Sequence, residues 1–170
     1  CGKPLIAYTV EAAVKSNVFD HVVVSTDCEK IAKIARSYGA KTPFLRPAQL
    51  SGDKILSKLA VKHAVEQCEL IYNKKFNIIT ELQCTSPMRN HIHVKKAYDQ
   101  FKKIHNSYDS LISVYKLNHF HPHKIKKIVN NTITDLCSHY EEKQINRRQN
   151  SENYYARNGA IFMMTRECIM

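Results

Sequence analysis

Apolar positions along this chain recur at helical spacing in some stretches and as short continuous runs in others, and the alternation predicts the elements. Ile6, Val10 and Ala13 or Val14 follow a helical period after Pro4, a residue that a first helical turn tolerates. His21-Val22-Val23-Val24-Ser25 is a short β-branched run, the pattern of a strand buried on both faces. Asp27 is placed to cap a helix carrying Ile31, Ile34 and Ala35, and Gly39 is placed to end it. Phe44-Leu45 reads as a short strand closed by Arg46-Pro47.

A helix from about Ser57 to Tyr72 puts Leu59, His63, Ala64 and Cys68 on one face. A strand over 77–82 follows, then a polar loop, then a helix over about 91–105 with Val94, Tyr98, Phe101 and Ile104 in register. Residues 110–115 read as a further strand. Strands alternating with helices imply an α/β fold: a mostly parallel sheet with helices on both faces.

The pattern changes after Lys116. Residues 124–129 and 132–136 flank Asn130-Asn131 and predict an antiparallel hairpin; a polar stretch from His139 to Asn153 follows, and Ala160–Thr165 returns as a buried strand. The expected organisation is one domain over 1–170 carrying a small flap insert at about 117–158.

The composition refines this picture in three ways. First, 170 residues with 44% apolar content suit a single ordinary core, and no apolar stretch approaches the length of a membrane span. Second, 26 Lys plus Arg against 15 Asp plus Glu give +11, a field that attracts nucleotides, acidic sugars or nucleic acid. Third, the six cysteines show no C-x-x-C spacing and read as reduced thiols of a cytoplasmic protein. The start at Cys1-Gly2-Lys3-Pro4 and the end inside the apolar Cys168-Ile169-Met170 read as a piece of a longer protein.

In an open parallel sheet, ligands bind beyond the carboxyl ends of the strands. Ser25-Thr26-Asp27, the loop from Leu45-Arg46-Pro47 to Ser57, and Gln83–Arg89 fall at such ends. Gln83 can donate and accept hydrogen bonds at once, although the same loop would serve as a plain strand–helix connection with a Ser-Pro turn. Arg46 suits bidentate recognition of phosphate or carboxylate, or a surface position before Pro47. Asp53 and Ser57 read equally as helix caps, and His63 as a satisfied core histidine. His119, His121 and His123 alternate as strand-face metal ligands would, but Pro122 interrupts them and no carboxylate or Cys lies near. Arg147-Arg148-Gln149, Tyr154-Tyr155 and Arg157-Asn158-Gly159 fit an anionic, hydroxyl-rich ligand, a solvated loop or a nucleic-acid patch.

Six segments in order then carry a resemblance. They are Gly2-Lys3-Pro4-Leu5-Ile6-Ala7-Tyr8-Thr9, Val24-Ser25-Thr26-Asp27, Pro43-Phe44-Leu45-Arg46-Pro47, Leu82-Gln83-Cys84-Thr85-Ser86-Pro87-Met88-Arg89, Arg147-Arg148-Gln149, and Tyr155 through Phe162. Together they resemble the acylneuraminate cytidylyltransferases, which make CMP-sialic acid and related CMP-nonulosonic acids.

The resemblance implies a Rossmann-like nucleotidyltransferase in which the sugar's anomeric hydroxyl attacks the α-phosphate of CTP and pyrophosphate leaves with the help of Mg²⁺. It implies nucleotide contacts at Arg46, Ser57 and Gln83, with Gln83 also the catalytic candidate between nucleotide and sugar. It implies an acceptor-sugar site at Lys124, Arg148, Asn158 and Phe162, and a homodimer formed through the flap. The family's Gly-rich triphosphate loop would precede Cys1, and its metal-binding aspartates would follow Met170. Cys84 stands where the family has Pro, and Asn150 where it has Asp after Arg-Arg-Gln. N-acylneuraminate is the leading acceptor, with legionaminic, pseudaminic or 3-deoxy-octulosonic acid as alternatives. A non-catalytic basic module for RNA or DNA competes, but the charges are scattered and no RNA-recognition or helix-turn-helix motif appears; neither a nucleic acid nor a membrane partner is expected. A fragment that only dimerises is the third reading.

Overall fold

The structure is a computed structural model, and it describes residues 2–117, 125–136 and 153–170. Its elements, in chain order, are α1 (Leu5–Ser16), α2 (Glu29–Ser37), a 3₁₀ turn at Ala48–Leu50, α3 (Ser57–Tyr72), β1 (Ile78–Glu81), α4 (His91–Ile104), β2 (Ser110–Lys116), β3 (Lys126–Val129), β4 (Thr132–Asp135), β5 (Tyr155–Thr165) and α5 (Arg166–Ile169). The chain divides into two compact units, Cys1–Ser113 with Gly159–Met170, and Val114–Asn158.

The first unit is α/β, but its sheet is not the mostly parallel one that the alternation predicts. Three strands lie in the order β1-β5-β2, and β1 pairs antiparallel with β5, Ile78 opposite Thr165 and Glu81 opposite Phe162. The physical reason is the route of the chain. Strand β2 is reached from β1 through α4, yet β5 lies between them and arrives after the 114–158 unit instead of a crossover helix. The rule that makes strand–helix–strand returns parallel therefore does not govern the β1–β5 pair.

Two shorter predicted strands are also corrected. The 21–25 run forms a single parallel bridge, Val23 to Lys41, because among the described residues no ladder of strand partners lies beside it. Phe44-Leu45 forms no strand; the Phe44 ring instead meets His63 edge-on, with centroids 5.4 Å apart.

Helix ends follow local chemistry. Asn90 caps α4 by accepting from the N–H groups of Ile92 and His93, and His93 Nδ1 returns the favour to the Asn90 N–H. Gly39 follows α2 at φ +100°, where its N–H reaches the Arg36 carbonyl. Asp27 does not cap α2: Cys28 holds that position, and Thr26 Oγ1 accepts from its N–H.

Packing follows the period of each element. Val94 and Phe101 of α4 meet Ile161 and Met163 of β5, with Ile78 and Leu82 against them. On the other face of the sheet Ile79 joins Val65 of α3 and Ile169 of α5, backed by Met164. Alternate residues of β1 and β5 thus serve opposite layers, as a period of two requires. A third cluster links Val10 of α1 to Ala35 and Ala40. Glu69 of α3 holds α5 in place: Arg166 Nε and Nη2 lie 2.7 and 2.9 Å from its carboxylate, Lys75 Nζ 3.0 Å away, and the Phe76 N–H also donates to it. Arg166 first, and then Lys75 and the Phe76 N–H, outweigh burial and hold this carboxyl at about 2.

The second unit contains the β3–β4 hairpin, with Val129 opposite Thr132 and Asn130-Asn131 in the turn. Both asparagines have positive φ (50° and 60°), the geometry that two-residue hairpin turns demand. Among the described residues no helix is long and apolar enough to cross a membrane.

Candidate functional site

The first unit contains a cleft of about 790 Å³, within the range of small-molecule sites. It runs between the Val22–Ser25 segment and the free edge of β1, with α1 and α3 supplying apolar walls through Val10, Ala13, Val61 and Val65. Its polar groups include Ser25, Arg46, Ser51, Ser57, Thr80 and Glu81, with Asp20, His21, Lys74 and Lys75 also on its lining. The hydroxyls of Ser25 and Thr80 are buried with no partner among the described residues. Such hydroxyls are costly unless water or a polar ligand reaches them.

Arg46 and Ser57 are brought to this cleft together. The Arg46 N–H donates to the Thr26 carbonyl (2.8 Å), tying the two strand-end segments, and its Nε donates to Ser51 Oγ at 3.1 Å. The guanidinium is half-buried, a setting in which a bidentate pair with phosphate gains strength. Ser57 is the first residue of α3 and not its cap; Leu56 holds the cap position without a side-chain bond. Asp53, in the turn before α3, does not cap it either. His63, expected to be satisfied, has a buried Nδ1 with no partner among the described residues.

Gln83 leaves the end of β1 on the same side as Glu81, two residues apart. Its amide hydrogen-bonds the Glu81 carboxylate, and its Oε1 points at Gly159 of β5. Gly159 has φ +70°, a backbone conformation that favours glycine, and a Cβ there would stand 2.6 Å from that oxygen, so the Gln83 side chain would have to turn away. Phe162 is half-buried and sits opposite Glu81 in the β1–β5 register. Asn158 is exposed on β5 and belongs to the second unit. Lys124 and Arg148, like the three histidines at 119, 121 and 123, lie outside the described residues.

Two functional-looking residues were not singled out in the sequence. Arg89, at the end of the Gln83–Arg89 loop, is only 5% exposed. Its Nη1 donates to the carbonyls of Gln83 (3.1 Å) and Ala160 (2.7 Å), and its Nη2 to Thr9 Oγ1 (2.6 Å), joining loop, β5 and α1. Burial pulls its pKa below the usual guanidinium value, but it remains a cation that braces the loop. The other is Glu81, a carboxyl raised above its ordinary pKa by burial, with the Gln83 amide pulling the other way. A charged residue inside an otherwise apolar strand was the available signal for Glu81.

The described residues include no group of three His, Cys, Asp or Glu side chains able to hold a metal ion. The four cysteines among them, Cys28, Cys68, Cys84 and Cys168, are free thiols.

This geometry can be set beside known proteins. The family model described as cytidylyltransferase matches residues 1–169. A pseudaminic acid cytidylyltransferase of Campylobacter jejuni (strain 81-176) is 42% identical over 100 residues, covering 59% of this chain and 43% of that protein. An N-acylneuraminate cytidylyltransferase of Escherichia coli O18:K1:H7 is 36% identical over 165 residues, covering 97% of this chain and 37% of that protein. The chain thus spans less than half the length of these relatives. Among solved structures, a CMP:2-keto-3-deoxy-manno-octonic acid synthetase complexed with CTP matches with a TM-score of 0.66 at 17% identity, over 99% of this chain and 66% of that one. At that identity the likeness shows the fold.

Proposed function

Since the chain belongs to the cytidylyltransferase family, we propose that the complete protein transfers CMP from CTP to a nonulosonic acid of the N-acylneuraminate type. The anomeric hydroxyl oxygen bonds to the α-phosphorus, the bond from that phosphorus to the β-phosphate oxygen breaks, and pyrophosphate leaves. Such a reaction depends on placing groups and neutralising charge more than on covalent catalysis. The observation that carries this reading is the convergence of Arg46, Ser57 and the polar end of β1 on one cleft.

In this reading Arg46 and Ser57 bind the nucleotide, and Gln83 lies between nucleotide and acceptor. Lys124, Arg148, Asn158 and Phe162 bind the sugar, and a homodimer forms through the second unit. The family's cation is Mg²⁺, which would neutralise phosphate charge. The described residues include no group of three His, Cys, Asp or Glu side chains able to hold it. The +11 charge would draw the polyanionic nucleotide to the protein, a cytoplasmic enzyme on this reading.

A second acceptor has specific support. The 42% match to a pseudaminic acid enzyme makes that sugar the alternative, with legionaminic and 3-deoxy-octulosonic acids as further candidates. The test is pyrophosphate release by the complete protein with CTP, Mg²⁺ and each acid sugar in turn. Release that requires nucleotide and one sugar together supports the proposal and names the acceptor; silence with every sugar overturns it.

A further inference from the structure

Gln83 carries a carboxamide, whose two ends differ in chemistry but not in shape. A ligand that meets the nitrogen end finds a donor, and one that meets the oxygen end finds an acceptor. An amide free to turn over would offer both. In this protein the surroundings distinguish the ends. The Glu81 carboxylate, on the same side of β1, can only accept while ionised, so it takes the amide nitrogen. The oxygen end lies over Gly159, where any side chain would collide with it.

We propose that Glu81 and Gly159 are positioning residues for Gln83, fixing its carboxamide in one orientation so that a single N–H of the nitrogen remains to meet an acceptor atom of the ligand. This rests on reading Gln83 as part of the site, and it extends that reading to two residues outside the ligand-contact set. The ligand chemistry favoured at this point is an oxygen acceptor, as on a phosphate, a carboxylate or a cytosine ring. A hydroxyl presented only as a donor is disfavoured.

The arrangement also explains why a carboxyl is tolerated inside the strand. Burial, the larger effect, raises its pKa, and the amide hydrogen bond offsets part of that. Asp20, His21, Arg46, Lys74 and Lys75 line the same cleft, yet none of them is a cause of the shift. When Glu81 takes up a proton it can donate to the amide oxygen, and the preference for one orientation is lost. That loss sets in at a pH above the ordinary glutamate range.

The test uses the complete protein labelled with ¹⁵N-glutamine, with the Gln83 side-chain amide assigned through its loss in Gln83→Ala. The amide pair is expected to shift with a single acid midpoint above the usual glutamate value. Glu81→Leu should abolish that titration while leaving Tm unchanged or higher, because a half-buried charge is removed. Glu81→Gln, whose amide oxygen can still accept, should hold the amide near its starting position without titrating. In turnover, Glu81→Leu and Gly159→Ala should each lower kcat/KM about tenfold, and neither should lower it further in a Gln83→Ala background. Amide resonances indifferent to position 81, or equal losses with and without Gln83, would overturn the proposal. The resonance readout needs no turnover, so a protein silent with every sugar would sink the functional reading while leaving this one to be decided by the amide.

Discussion

The Gln83–Arg89 loop and the segment from Phe44 to Ser57 invite the same reading in sequence: each falls at the end of an expected strand, and each contains a proline and an arginine. The structure holds them in opposite ways. Arg89 is buried, and its Nη groups are spent on two backbone carbonyls and a threonine hydroxyl. Arg46 is half-buried, makes one side-chain bond to Ser51, and faces a cleft. An arginine that gives its donors to the backbone is architecture. One that keeps its outer donors over a cleft is available to an anion.

The largest effect that would break this contrast belongs to Arg89. Charge-assisted hydrogen bonds each contribute about 1.5–3 kcal/mol, and removing the shared donor leaves three acceptors to find water. With partial rescue by water, Arg89→Ala should destabilise the protein by about 3 kcal/mol, or roughly 6–12 °C in Tm for a chain of this size. Thermal unfolding by circular dichroism measures it. A Tm shift under about 2 °C would mean that the loop does not depend on this brace.

The reverse profile is expected at Arg46. Arg46→Ala removes a half-buried group and should change Tm by no more than roughly 2 °C. If the guanidinium grips phosphate, KM for CTP rises about 10–100-fold, the equivalent of one charge-assisted bond. Pyrophosphate release at varied CTP separates the cases. A large loss of stability with unchanged KM would place Arg46 in the same class as Arg89.

How much of this was legible beforehand depends on the range of the interaction. The extents of α1, α3 and α4, and the β3–β4 hairpin, follow from local periodicity and the Asn130-Asn131 turn. Those signals lie within a few residues, and the structure places the elements where the signals put them. The sheet was misread because strand direction is set by which strand arrives between β1 and β2, and β5 comes from more than fifty residues further along the chain. The 21–25 run shows the limit from the other side, since composition can favour a strand without supplying its partner. In the site, Arg46, Ser57 and Gln83 were accessible through motif order, and the cleft holds the first two. The service of Arg89 to Thr9 and Ala160, and the closeness of Gly159 to Gln83, are long-range facts that no spacing encodes.

The finest cut at the comparison is made at Ser51. Its hydroxyl accepts from Arg46 Nε at 3.1 Å and donates to the Pro47 carbonyl at 3.0 Å, so it links the side chain to the 3₁₀ turn that follows. Bonds at a partly exposed site between neutral and charged partners contribute only about 1 kcal/mol, and water can replace them. Ser51→Ala should therefore leave Tm nearly unchanged and raise KM for CTP by about two- to fivefold, with kcat held. That pattern would show that Arg46 needs orienting as well as charge. A KM equal to that of the parent protein would mean that the guanidinium finds its ligand unaided, and the 44–57 segment would then be looser than its hydrogen bonds imply. Combining Ser51→Ala with Arg46→Ala decides between these outcomes, because an orienting role vanishes once the arginine is gone.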